Sequence, residues 1–164
     1  MIVLKHVLVA TDFSPPSDAA LRYGRALAHT FGAALHVLHV AENFFLKPTA
    51  ADPHDLKAAA ARTLSERLTD ADRCELHARA VFETSDRPAE TIVDYAKAAN
   101  IDLIVVGTHG RGAISQILVG SVAERVVRTA PCPVLTVRHP EHEFIHPDRK
   151  AERHDCLDES PRCH

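Results

Sequence analysis

Aromatic residues make up only 5% of this 164-residue chain, and its net charge is -3 with histidine neutral. With few rings for stacking and no basic excess, it lacks both the platform and the electrostatic footprint of a nucleic-acid binder. No apolar run approaches the ~20 residues that span a bilayer, so no membrane association is expected. The opening MIVLKHVLVATD is apolar but short, and it has no basic n-region or small-residue cleavage site. It therefore reads as a first strand rather than a signal peptide, and a cytoplasmic location is expected. The four cysteines, Cys74, Cys132, Cys156 and Cys163, are predicted to stay thiols in such a compartment. Cys132, within APCPVLTV, reads as a small buried hydrophobe.

Glycine is scarcer still. There are six, and four of them, Gly107, Gly110, Gly112 and Gly120, lie in one stretch, GTHGRGAISQILVGS. Such a cluster marks backbone that must bend sharply or let something come close. Several glycine loops are excluded by what does not accompany them. No Lys-Ser/Thr pair follows, so this is not a P-loop. The turn after the first strand holds no glycine, so the dinucleotide fingerprint is missing from its place. An S-G-G-x-D-S run, as in ATP pyrophosphatases, is also lacking.

What is present is a core: 46% hydrophobic and 25% charged residues suit one domain. Strand and helix patterns alternate. KHVLVA (5–10) is too apolar for a strand with one wet face. Ser14, Pro15 and Pro16 predict an N-cap and first helical turn. Ala20, Gly24, Leu27, Ala28 and Phe31 form the buried stripe of that helix, and Gly32 its stop. ALHVLHV (34–40) is a second strand, residues 52–71 a helix striped by Leu56, Ala60, Leu64 and Leu68, and CELHARAVF (74–82) a third strand. Asp86 and Pro88 open a helix through Asn100, with Ile92, Val93, Ala96 and Ala99 inward. DLIVVG (102–107) is the most apolar strand and is expected at the centre; SVAERVVRTA (121–130) and PVLTVR (133–138) close the core. Strands separated by helices imply a single doubly wound α/β domain with a parallel sheet and helices on both faces.

In such sheets ligands sit beyond the carboxyl ends of the strands, which points to VATDFSPPS and to the glycine segment. Gly107 ends its strand, and Gly110 and Gly112 permit a loop whose N–H groups turn toward an anion. Ser121 and Glu124 have capping-box spacing, predicting a helix whose N-terminus faces that loop. On spacing alone two readings stand: a phosphate site, or glycines that merely serve turns and packing.

Gly107, two residues, Gly110, nine residues, then Gly120-Ser121 resembles the ATP-binding signature of the universal stress protein family. VLVATDFSPPSDAAL, DLIVVGTHGRG and SVAERVVRTAPCPVLTVR are similar to the family's opening strand and loop, its fourth strand, and its closing helix and strand. The resemblance implies a five-stranded order 3-2-1-4-5, with ATP, and Mg2+ with it, across strands one and four. It implies backbone contacts to adenosine from Ala10 and Thr11, ribose binding by Asp12, and adenine-edge contacts from the Val40 backbone. Gly107, Gly110, Gly120, Ser121 and Val122 would line the phosphates, with His109 and Arg111 as further phosphate-loop contacts or as solvated loop residues. A homodimer through the last strand, Val134 to Val137, is also implied. ETSDRPAE departs from the pattern, with Thr84-Ser85 where members often carry glycine.

A stress-response module controlled by bound nucleotide is the reading that follows. A slow ATPase or phosphotransferase is the enzyme alternative, although no general base or arginine clamp stands out. A scaffold acting through its tail is the third. The chain divides into a nucleotide-binding domain, 1–138, and a polar tail, 139–164. In the tail His154, Cys156, Cys163 and His164 are of zinc-ligand type but lack a C-x-x-C knuckle, so a solvated tail without metal is expected. His6, His36, His39 and His77, scattered through strand segments, read as hydrogen-bonded structural residues.

Overall fold

Val7, Leu8 and Val9 are all fully buried in strand β1 (His6–Ala10). Successive strand residues point to opposite faces, so the sheet is covered on both sides at this strand. The computed structural model describes residues 1–41, 53–108 and 120–138. With β2 (Ala34–Ala41), β3 (Arg79–Thr84), β4 (Leu103–Gly107) and β5 (Val134–Val137), β1 forms one sheet of order β3-β2-β1-β4-β5, every pair parallel. This is the expected order. The most apolar strand, β4, is interior, but β1 rather than β4 is the middle strand. One face buries Val7, Val9, Leu35 and Val37 under α1 (Pro15–Phe31) and α2 (Pro53–Glu66). The opposite face buries Leu8, Leu38 and Ile104 under α4 (Pro88–Ala98) and α5 (Ser121–Thr129).

Helix α1 lies close on β1 because Gly24 has no side chain; a Cβ there would collide with Val9 Cγ2. Gly32 ends the helix at φ 62°, and the Ala33 N–H closes on the Ala28 carbonyl at 2.8 Å. Phe31, expected on the buried stripe, is 40% exposed. Ala28, in the same last turn, is fully buried, so the inward contact there is made by Ala28 and not by Phe31.

The segment expected as one helix and a long strand divides differently. α2 stops at Glu66, α3 (Asp70–Glu75) follows, and β3 begins only at Arg79. Thr69 caps α3: its hydroxyl accepts the Asp72 N–H, and the Asp72 carboxylate accepts the Thr69 N–H. Leu76 and Ala78 both donate to the Asp72 carbonyl, with His77 between them at φ 46°. This local capping overrides the apparent alternation of residues 74–78, and His77 is a turn residue rather than a strand residue. α4 also ends earlier than expected, at Ala98, because Asn100 takes the left-handed conformation at φ 51°.

His36 and His39, three apart on β2, face opposite sides of the sheet. His36 is buried, its Nδ1 2.8 Å from the Tyr95 hydroxyl and its Nε2 3.2 Å from His6 Nδ1. Burial, then the nearby His6 and Arg79, push its pKa down to about 4 from 6.5. Folded His36 is therefore neutral over a range in which the unfolded chain takes up a proton. Stability should fall by about 3 kcal/mol as pH drops from 6.5 to 4, and no further from this residue below that. Denaturant titrations of wild type and His36→Phe across this range check it; an equally steep decline in the variant would reject His36 as the source.

Candidate functional site

From β1 the chain crosses to β2 on one side, while β4 lies on the other, so the strand order reverses beside β1. At such a point neighbouring connections part and leave a crevice beyond the strand ends. Ala10, the last residue of β1, is in register with Val106, which sets Thr11 alongside Gly107 at the mouth.

The β1–α1 turn is tied internally. Thr11 is buried; its N–H donates to the Leu38 carbonyl at 2.9 Å, and its Oγ1 accepts the Phe13 N–H at 3.1 Å. Asp12 Oδ1 accepts the Ser14 N–H at 3.1 Å and the Ser14 hydroxyl. Ser14 does stand at the N-cap of α1, as expected, but its side chain makes no cap bond and orients Asp12 instead. Phe13, a non-glycine residue at φ 65°, turns the chain into the helix. Val40 lies half-buried near the end of β2, paired with Glu83.

On the other wall, Gly107 ends β4, and a Cβ on it would stand 2.7 Å from the Pro16 carbonyl carbon. The absence of a side chain there allows α1 to close over the strand end. The Thr108 N–H donates to the Val137 carbonyl at 2.8 Å, and the Thr108 carbonyl accepts the Gly120 N–H. The two ends of the glycine segment therefore meet. His109, Gly110, Gly112 and Arg111 lie between them, outside the described residues, as do His154, Cys156, Cys163 and His164 in the tail.

The expected Ser121–Glu124 capping box does not form. α5 starts at Ser121, its N-cap is Gly120 at φ -59° and ψ 148°, and no side chain caps it. Ser121 is thus already inside the first turn, where its hydroxyl cannot reach back to an N3 N–H. The Glu124 carboxylate pairs with Arg128 at 2.8 Å instead. Ser121 is exposed and Val122 is 37% exposed, so the first turn of α5 is accessible. Gly120 is not in the left-handed region, so a side chain there would meet no backbone strain.

Both α1 and α5 begin at this crevice, but they offer different chemistry. α1 opens with Pro15 and Pro16, which have no N–H to give. α5 opens with Ser121, Val122 and Ala123, whose N–H groups lack intrahelical partners and stand at the positive end of the helix dipole. The site therefore has an acceptor, Asp12, on one wall and a set of N–H donors on the other. No group of three metal-ligating side chains occurs among the described residues. Phe13 at the turn was not singled out by sequence, since an aromatic residue at positive φ has no local signal; His39, expected as a hydrogen-bonded structural residue, does bond the Thr11 carbonyl from β2.

The chain is a doubly wound parallel α/β protein with a carboxylate and an uncapped helix N-terminus at the switch point, where ligands sit in such sheets. The model of the Universal stress protein family matches residues 4–138, and the chain belongs to that family. A universal stress protein of Thermus aquaticus is 34% identical over 144 residues, covering 83% of this chain and all of the relative. The solved structure of universal stress protein UspA from Lactobacillus plantarum superposes with a TM-score of 0.73 at 29% identity, over 84% of this chain and all of that one. That of an Archaeoglobus fulgidus universal stress protein in complex with dAMP gives a TM-score of 0.54 at 26% identity, over 84% and 99% of the two chains. Among the described residues no helix is long and apolar enough to cross a membrane.

Proposed function

We propose that this protein binds ATP, with Mg2+, at the switch point between β1 and β4, and works as a nucleotide-dependent stress-response module of the cytoplasm. The uncapped N-terminus of α5, tied through Gly120 to the end of β4, carries the reading. Its N–H groups suit phosphate oxygens, as a carboxylate suits a ribose diol. Ala10, Thr11 and the Val40 backbone would flank adenosine; Asp12 would take the ribose hydroxyls. Gly107, Gly110, Gly120, Ser121 and Val122 would line the phosphates, with His109 and Arg111 beside them. The dAMP complex of the Archaeoglobus relative supports an adenine nucleotide as the ligand class. Domain 1–138 is sufficient for binding in this reading, and the tail 139–164 is dispensable. Homodimerisation through β5 fits as well: β5 is one of the two edge strands of the sheet, and Val127 on α5 is half-exposed.

Freshly purified protein, denatured and analysed by mass spectrometry, should release ATP or ADP in near-stoichiometric amount. In calorimetry Gly120→Val should weaken ATP binding at least a hundredfold (about 2.7 kcal/mol) while the variant remains folded. A chain ending at Pro140 should bind ATP like the full chain and elute as a dimer. Unchanged affinity in folded Gly120→Val rejects the phosphate assignment. Rapid multiple turnover of ATP, lost on mutating Asp12 or His109 while ATP still binds, would make the protein an enzyme.

A further inference from the structure

We propose that His39 is a positioning residue for this site: from β2 its Nδ1–H holds the Thr11 carbonyl and so sets the turn that carries Asp12. The inference rests on the ATP-binding reading and deepens it. His39 Nδ1 lies 2.8 Å from the Thr11 carbonyl oxygen. A carbonyl only accepts, so the proton must sit on Nδ1, and the bond selects the tautomer.

The turn needs such a restraint. After Ala10 the β1 ladder ends, and Phe13 must adopt φ 65°, which costs a bulky L-residue about 1–2 kcal/mol. Backbone of this kind persists where its surroundings over-determine it. His39 touches the turn twice, through the Thr11 carbonyl and through its ring, whose centroid lies 4.3 Å from that of Phe13 at an interplanar angle of 33°. The Arg67 guanidinium adds to this, 5.7 Å from the Phe13 ring centroid. Asp12 sits between the two anchored residues, so its backbone follows from theirs, while Ser14 holds its carboxylate. His39 itself stands on a strand paired on both sides. A rigid element thereby fixes the residue that would meet the ribose.

Three substitutions separate this role from packing. In Asn the amide nitrogen stands where Nδ1 of histidine does; in Gln it stands one carbon farther out; Phe keeps a ring and loses the donor. ATP affinity should fall about tenfold in His39→Phe and in His39→Gln, as expected for one stranded carbonyl, and stay within about threefold of wild type in His39→Asn. Wild-type binding in His39→Phe, or an Asn variant as weak as the Phe variant, overturns the proposal. Nitrogen-15 NMR of histidine in the unmodified chain is the second measurement and needs neither ATP nor a folded variant. An Nδ1-protonated His39 is expected, and an Nε2-protonated neutral ring overturns the proposal. A wild type that binds no ATP would instead overturn the proposed function, leaving the tautomer measurement to judge His39.

Discussion

Gly107→Val is expected to destabilise the domain by about 3 kcal/mol, at the upper end for overpacking, because the new side chain meets backbone. An added Cβ would lie 2.7 Å from the Pro16 carbonyl carbon, 2.8 Å from its oxygen and 3.0 Å from its Cβ. Backbone of a helix cannot rotate aside as a side-chain tip can. Relief requires moving the first turn of α1, which is held through Ser17 by bonds to Thr11 Oγ1 and the Ser14 carbonyl. The turn bearing Asp12 would move with it. Urea unfolding of Gly107→Ala and Gly107→Val measures the effect, and a loss below 1 kcal/mol in both would mean that α1 yields readily. The position has a further consequence for function. A Gly107 variant that fails to bind nucleotide says little about phosphate contact, since the fold is perturbed at the same time. Gly120, with no left-handed backbone to protect, is the cleaner probe.

Asp72→Ala should cost about 3–4 kcal/mol, in the range for breaking a buried ion pair by removing one partner. The Asp72 carboxylate, buried in α3, accepts from Arg25 Nε at 2.9 Å and Nη2 at 2.8 Å, and from the Thr69 N–H at 2.8 Å. Its loss would leave the Arg25 guanidinium without that partner, remove the carboxylate half of the α3 capping box, and weaken the tie between α1 and the segment leading to β3. Burial opposes ionisation of Asp72, but the bonds from Arg25 and Thr69 outweigh it and hold the pKa below 3.8. The contribution is therefore present at neutral pH and is lost as pH falls below 3.8 through the lowered folded value. Unfolding of wild type and variant at pH 7 and near pH 3 should show the gap narrowing in acid. A gap that widened there would reverse the sign argued here.

Much of this was legible along the chain because it is local. Pro15-Pro16 after Ser14 marks a helix start, and Gly32 a stop, whatever lies around them. The Val-rich β1 and β4 announce a sheet covered on both faces. Failures occurred where two local signals competed. Residues 74–78 alternate like a strand, yet Thr69 and Asp72 satisfy each other's N–H groups and turn the chain helical first. Ser121 and Glu124 have the spacing of a capping box, but α5 begins one residue too early for that spacing to act.

The sequence by itself determined the alternation of strands and helices, apart from α3, and the family, since hydrophobic period, turn chemistry and glycine spacing are properties of short segments. Tertiary structure alone decided what those residues do to one another. Gly107 meets Pro16, His39 meets Thr11, and Arg25 meets Asp72 across long separations in the chain, and each contact depends on a register or crossing that no segment encodes. The same holds for the site. That α1 brings two prolines and α5 brings free N–H groups can be read from the residues; that both open onto one crevice follows only from the reversal of strand order beside β1.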